Sequence, residues 1–85
     1  MAKARTIMTD WVLAALEDFG GSASFLDISK HVWEHRESDI RAIDDLLYEW
    51  QYELRWAAYF LRRDGALRAA SDSPRGIWEL NGVTT

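Results

Sequence analysis

The sequence has no cysteine, one proline (Pro74) and no excess of positive charge over its 85 residues. Without cysteine, a disulfide scaffold and any thiolate metal site are excluded, and a reducing cytoplasm is the expected setting. A long hydrophobic run is missing too. The longest, Trp56-Ala57-Ala58-Tyr59-Phe60-Leu61, is far short of the roughly 20 apolar residues of a membrane span. Met1-Ala2-Lys3-Ala4-Arg5-Thr6 leads into mixed residues that include Asp10, not into the apolar core of a secretory signal. Lys and Arg number 10 against 14 Asp and Glu, a net charge of -4. Phosphate neutralisation supplies most of the affinity of small nucleic-acid binders, so this balance opposes non-specific binding.

Aromatic side chains are plentiful: 13% of residues, five of them Trp. A chain of this length makes one domain and buries only about 60–65% of its unfolded surface. Large apolar side chains suit a core that small.

Residues 1–8 are expected to form a flexible leader and 9–82 the folded domain. Thr9 reads as an N-cap, with Asp10 in the first turn of a helix carrying Val12, Leu13, Leu16 and Phe19 at helical spacing. Gly20-Gly21 stops it. Ser22-Ala23-Ser24 is a short strand candidate. Ser24 caps a second helix, with Asp27 at the capping-box position, running to about His35. Arg36-Glu37 reads as a polar break, and Ser38 opens a further helix through Ile40, Ile43, Leu46 and Leu47. From Tyr48 to Trp56 apolar and polar residues alternate as in a strand. The alternation fails at Ala57-Ala58, however, and Trp50, Leu54, Ala57, Ala58 and Leu61 share a helical face. A long helix over 50–63, ended by Asp64-Gly65, is the expectation. Residues 66–69 and 76–80 read as strands joined by the turn-rich Ser71-Asp72-Ser73-Pro74-Arg75. The expected fold is mostly α with a small β-wing: a winged helix-turn-helix with an extra helix between helix 2 and the recognition helix.

The run Glu49-Trp50-Gln51-Tyr52-Glu53-Leu54-Arg55-Trp56-Ala57-Ala58-Tyr59-Phe60-Leu61-Arg62-Arg63-Asp64-Gly65-Ala66-Leu67, followed by Ser73-Pro74-Arg75-Gly76-Ile77-Trp78-Glu79-Leu80, resembles the N-terminal domain of Mrr-type restriction proteins. There an Arg-Trp-Ala start and a Leu-Arg pair mark the recognition helix, and Ser-Pro-Arg-Gly-x-Trp returns as the last wing strand. The resemblance covers about residues 9–82. It implies a winged-helix DNA-binding module of a prokaryotic restriction or defence system, with double-stranded DNA as partner. In that family the module precedes a nuclease domain; this chain ends at Thr85, and nuclease activity is not expected of it. The acidic segment 25–49 departs from the family pattern and argues against phosphate contact there.

Charge is unevenly spread. Residues 25–49 carry seven acids against Lys30, Arg36 and Arg41, whereas residues from 50 onward carry five Arg against four acids. Arginine suits bidentate contact with phosphate or guanine. Gln51, Tyr52, Arg55, Tyr59, Arg62 and Arg63 fall largely off the apolar face of the long helix, and Arg68 and Arg75 lie in the wing. These eight are the candidate DNA contacts. Gln51 and Arg55 are placed for base readout, and Arg75 for phosphate or minor groove. The competing reading pairs Arg55 and Arg62 with carboxylates such as Glu49, Glu53 or Glu79.

His31 and His35 share a helix face, but the residue after His31 is Val32, not the Glu of a zinc-protease motif, and a third ligand is not identifiable. They read as surface histidines near a helix C-terminus. No metal, cofactor or catalytic group is expected, and Asp44-Asp45 reads as solvated charge. Trp33, Trp50, Trp56 and Trp78 are expected in the core, with Trp11, Tyr48 and Tyr52 harder to bury. A protein-interaction or dimerisation module, its acidic face docking a basic partner or mimicking nucleic acid, is the alternative function. A homodimer would supply affinity that one acidic protomer lacks.

Overall fold

A computed structural model describes residues 2–43 and 45–81. Its elements are α1 (Ala2–Asp18), β1 (Ser22–Ser24), α2 (Phe25–Ala42), α3 (Leu46–Arg63), a 3-10 turn (Ala70–Asp72) and β2 (Ile77–Glu79). The domain is thus mostly helical with a two-stranded antiparallel sheet. No helix among the described residues is long and apolar enough to cross a membrane.

α1 starts earlier than its sequence signals suggested. Thr9 lies two turns inside the helix and is not its N-cap. The segment expected as a leader is good helix-forming sequence without Gly or Pro, and Met8 is fully buried, extending the stripe of Val12, Ala15 and Leu16. Met1 and Gly82 lie outside the described residues. The helix closes as expected at the glycines. Gly20 (φ 85) turns left-handed, with Gly20 N–H donating to Glu17 O and Gly21 N–H to Leu16 O. Those paired bonds form a Schellman motif, and its left-handed position is open to glycine at no steric cost.

Ser24 caps α2, its hydroxyl accepting from Asp27 N–H at 3.1 Å. The break expected at Arg36-Glu37 is absent, and so is the extra helix from Ser38: α2 runs through to Ala42. Ile40 stays on the buried face of Ile28 and Val32. The residues read as a break instead support the helix through Arg36–Asp39 (3.8 Å) and Glu37–Arg41 (2.9 Å) ion pairs one turn apart. The chain turns at Ile43, which is extended, and at Asp45, which is left-handed at φ 59. Leu46 and Leu47 therefore belong to α3, which begins four residues before the expected position 50.

α3 presents Leu46, Leu54, Ala57, Ala58 and Leu61 inward, with the carboxylate-bearing Glu53 also buried. It packs most extensively on α1. Trp78 is in the core as expected, and so is Trp11, which was the harder one to bury. Trp33 and Trp50 stack at 5.7 Å on the core's flank. Trp56, expected in the core, is only half-buried on the outer side of α3.

β2 pairs with β1 in the register Ser22–Glu79, Ala23–Trp78, Ser24–Ile77. The expected strand at 66–69 shrinks to one bridge between Leu67 and Leu80, with Arg68 N–H donating to Glu79 O at 2.9 Å. The connector holds the 3-10 turn and then a tight turn in which Ile77 N–H reaches Pro74 O. Gly76 occupies its third position at φ 79, a conformation that favours glycine.

Candidate nucleic-acid interface on the third helix

At about 100° per residue, the side of α3 opposite its buried stripe carries Tyr48, Tyr52 and Tyr59. Their exposures are 84%, 57% and 53%. Arg55 and Arg62 border this ridge on one side, and Trp56 and Arg63 on the other. Gln51 and Glu49 are exposed in its first turns.

Arg55 and Arg62 sit seven residues apart, two turns along one edge. The Arg55 guanidinium lies 4.3 Å from the Phe25 ring centroid, and that of Arg62 lies 6.0 Å from the Trp78 ring. Phe25 and Trp78 are themselves packed at 5.4 Å. One aromatic pair, built from the first residue of α2 and the middle of β2, therefore carries both arginines. Arg62 is further fixed by its Nε–H, which donates to Arg68 O at 3.3 Å. The turn at 74–77 joins the same place, because Phe25 N–H donates to Gly76 O at 3.2 Å. Arg75, the exposed neighbour of Gly76, is thereby held near the start of α2.

These contacts bring Arg55, Arg62, Arg68 and Arg75 to one end of the molecule. Arg63 turns to the other edge, over Phe60 at 5.0 Å, with Asp64 3.9 Å away. Tyr52 and Tyr59 lie on the outward ridge between the two edges, and Gln51 lies just beyond the Arg55–Arg62 edge.

The ion pairing differs between the two halves. In α2, Arg36 and Arg41 are each matched by a carboxylate one turn away. From α3 onward, among the described residues, Arg63–Asp64 is the one arginine–carboxylate pair. The anticipated pairing of Arg55 or Arg62 with Glu49, Glu53 or Glu79 does not form. Aromatic faces and a backbone carbonyl hold these cations, and neither cancels their charge.

Two participants were not singled out from the sequence. Phe25 and Trp78 act as supports for the arginines, and both contacts link residues far apart in the chain. Trp56 joins Tyr52, Arg55 and Tyr59 around a shallow opening of about 410 Å³. Its partner contacts with Tyr52, Tyr59 and Phe60 have ring centroids 5.5–6.3 Å apart.

Both histidines lie in the middle of α2; His35 is exposed as expected, and His31 is less so. His31 Nε2 lies 2.7 Å from Asp18 Oδ2, with its side chain 13% exposed. His35 stacks on it at 4.0 Å and places Nδ1 2.9 Å from His31 O. Together with Trp11 and Arg36 they line a cleft of about 250 Å³. No group of three or more His, Cys, Asp or Glu among the described residues is placed to hold a metal ion. Asp44, expected as half of a solvated carboxylate pair, lies outside the described residues.

No known protein family, curated protein or solved structure matches this chain.

Proposed function

We propose that this chain is a winged-helix DNA-binding module, similar to the recognition domain of Mrr-type restriction proteins. The order helix, strand, helix, helix, bridge, strand supports that topology, with β1 against β2 and Leu67 against Leu80 on the other edge. α3 is then the recognition helix, and 70–76 the wing.

The carrying observation is the contrast in ion pairing. Arg55, Arg62, Arg68 and Arg75 make no ion pair with a described residue, while the arginines of the acidic α2 are matched internally. Cations held by rings and carbonyls keep their charge for an external anion. Docking α3 in a major groove puts Gln51 and Arg55 toward base edges, with Arg75 on the backbone. A net charge of -4 keeps non-specific affinity low, so directed contacts, and a second protomer, supply the binding.

The test is duplex DNA affinity at two salt concentrations, for the wild type and for Arg55→Ala combined with Arg75→Ala. Each lost phosphate contact flattens the log–log salt slope by about one. A wild type that fails to bind duplex at low salt sinks the reading.

The second reading, a protein-interaction module, is favoured by the exposed tyrosine ridge, since Tyr, Trp and Arg dominate protein interfaces. Its acidic-mimic form is weakened by Glu37 and Asp39, which are engaged with Arg41 and Arg36. Specific co-purification of a partner, without duplex binding, would select it.

A further inference from the structure

We infer that the outer face of α3 carries a stacking site for an unpaired DNA base, formed by Tyr52 and Tyr59 where they pack on Trp56, with the Arg55 guanidinium lining the same opening. This rests on the DNA-binding reading and specifies what the site takes.

The first argument is geometric. Tyr52 and Tyr59 cross the Trp56 plane at 72° and 84°, with centroids 6.3 and 5.5 Å away. Two phenol rings thus stand edge-on to an indole along about two turns of helix. The opening they line with Arg55, about 410 Å³, lies in the usual range of small-ligand sites, roughly 300–1,000 Å³. Tyr52 and Tyr59 are more than half exposed, so a planar ring entering it meets their phenol rings.

The second argument is chemical. Reading base edges in a paired duplex calls for side chains that offer two hydrogen bonds in one plane, as Arg, Gln and Asn do. The ridge instead offers phenols, each with one hydroxyl. Phenols are poor at edge readout, but they stack on any base, because every base has a π face.

The third argument is charge. A set of aromatic rings alone would also suit an organic cation. Here a guanidinium lines the same opening, and Arg62 and Arg63 follow one to two turns on. The arginines beside the rings suit a π ring that carries an anion, which describes a nucleotide. Arg55 is held from its far side by Phe25 at 4.3 Å, so it is positioned without being neutralised.

The experiment measures fluorescence anisotropy at low salt with two probes: a fully paired duplex, and the same duplex with one unpaired thymidine. Wild type is expected to bind the bulged probe about tenfold more tightly, the order of one base–aromatic stack. In Tyr52→Ala with Tyr59→Ala the ratio falls to about one. Both residues are more than half exposed, so the fold survives their truncation. Tyr52→Phe with Tyr59→Phe keeps the preference, which separates stacking from hydroxyl contacts to phosphate.

Equal binding of the two probes by wild type overturns the stacking site and leaves the duplex reading standing. So does a preference that survives the alanine pair or disappears in the phenylalanine pair. Failure to bind either probe overturns both readings.

Discussion

Arg55 lies over Phe25, its guanidinium carbon 4.3 Å from the ring centroid. Thirty residues separate the two, and the contact ties the middle of α3 to the first residue of α2. Phe25 also packs on Trp78 at 5.4 Å. Phe25→Leu removes both aromatic contacts while leaving every charge in place. Cation–π contacts at exposed sites contribute about 0.5–1 kcal/mol, and an aromatic pair a similar amount. The substitution should therefore lower stability by roughly 1–2 kcal/mol. On the proposed DNA-binding reading, affinity for duplex should fall through lost positioning, with the salt slope unchanged. Urea unfolding and a salt titration check the two halves. A flattened slope would mean that Phe25 acts by some other route.

The cap of α2 gives a second prediction. Ser24 accepts from Asp27 N–H at 3.1 Å and is also the last residue of β1. Ser24→Ala should cost about 1 kcal/mol in urea unfolding, while Ser24→Asp, which also caps, should cost much less. Equal losses in both variants would point to the strand rather than the cap.

The continuity of α2 is testable at Ser38, which is exposed in mid-helix. Ser38→Pro removes an intrahelical N–H and clashes with the preceding turn, so it should cost about 3 kcal/mol. Ser38→Ala should be neutral or slightly stabilising. Were a loop present at 36–37, proline would be tolerated. Thermal melts followed by circular dichroism distinguish the outcomes.

Why that continuity was hard to read from sequence is a matter of range. Gly20-Gly21, the Ser24 cap and the Asp64-Gly65 stop are local devices, legible in three or four residues, and all act as expected. The boundary between α2 and α3 has no such punctuation. An extended Ile43 ends one helix and a left-handed Asp45 starts the next, and the spacing of Ile40, Ile43, Leu46 and Leu47 fits either assignment. α3 carries aromatic residues on both its inner and outer sides, so hydrophobicity alone could not place Trp56 outside and Trp50 against the core. Six of the eight candidate contacts were legible as residues off the apolar face of the long helix, and Arg68 and Arg75 as residues of the expected wing. Their supports, Phe25 and Trp78, were not, because those contacts are set by tertiary packing.

Asp45 itself offers a third backbone test. At φ 59 it adopts a conformation that Asp tolerates and β-branched residues resist. Asp45→Gly should be neutral or stabilising, by up to about 1 kcal/mol. Asp45→Val should destabilise by about 1–2 kcal/mol. Matching stabilities for the two variants would show that the turn does not need the left-handed residue.

Arg62 joins α3 to the start of the wing, and its geometry predicts more than lost charge. Its Nε–H donates to Arg68 O at 3.3 Å while the guanidinium sits 6.0 Å from the Trp78 ring. Arg68 N–H in turn donates to Glu79 O, part of the single bridge that stands where a full strand was expected. So little pairing leaves the segment near 68 reliant on its link to α3. Arg62→Lys keeps the charge but loses the planar guanidinium and its Nε–H. Hydrogen exchange at the Arg68 amide should accelerate in both Arg62→Ala and Arg62→Lys, by about five- to tenfold for the loss of one net hydrogen bond of roughly 1 kcal/mol. The amides of α1 should be far less affected, since that helix is held by the core. If Arg62→Lys protects Arg68 as well as the wild type does, charge alone anchors the wing and the directed hydrogen bond is dispensable.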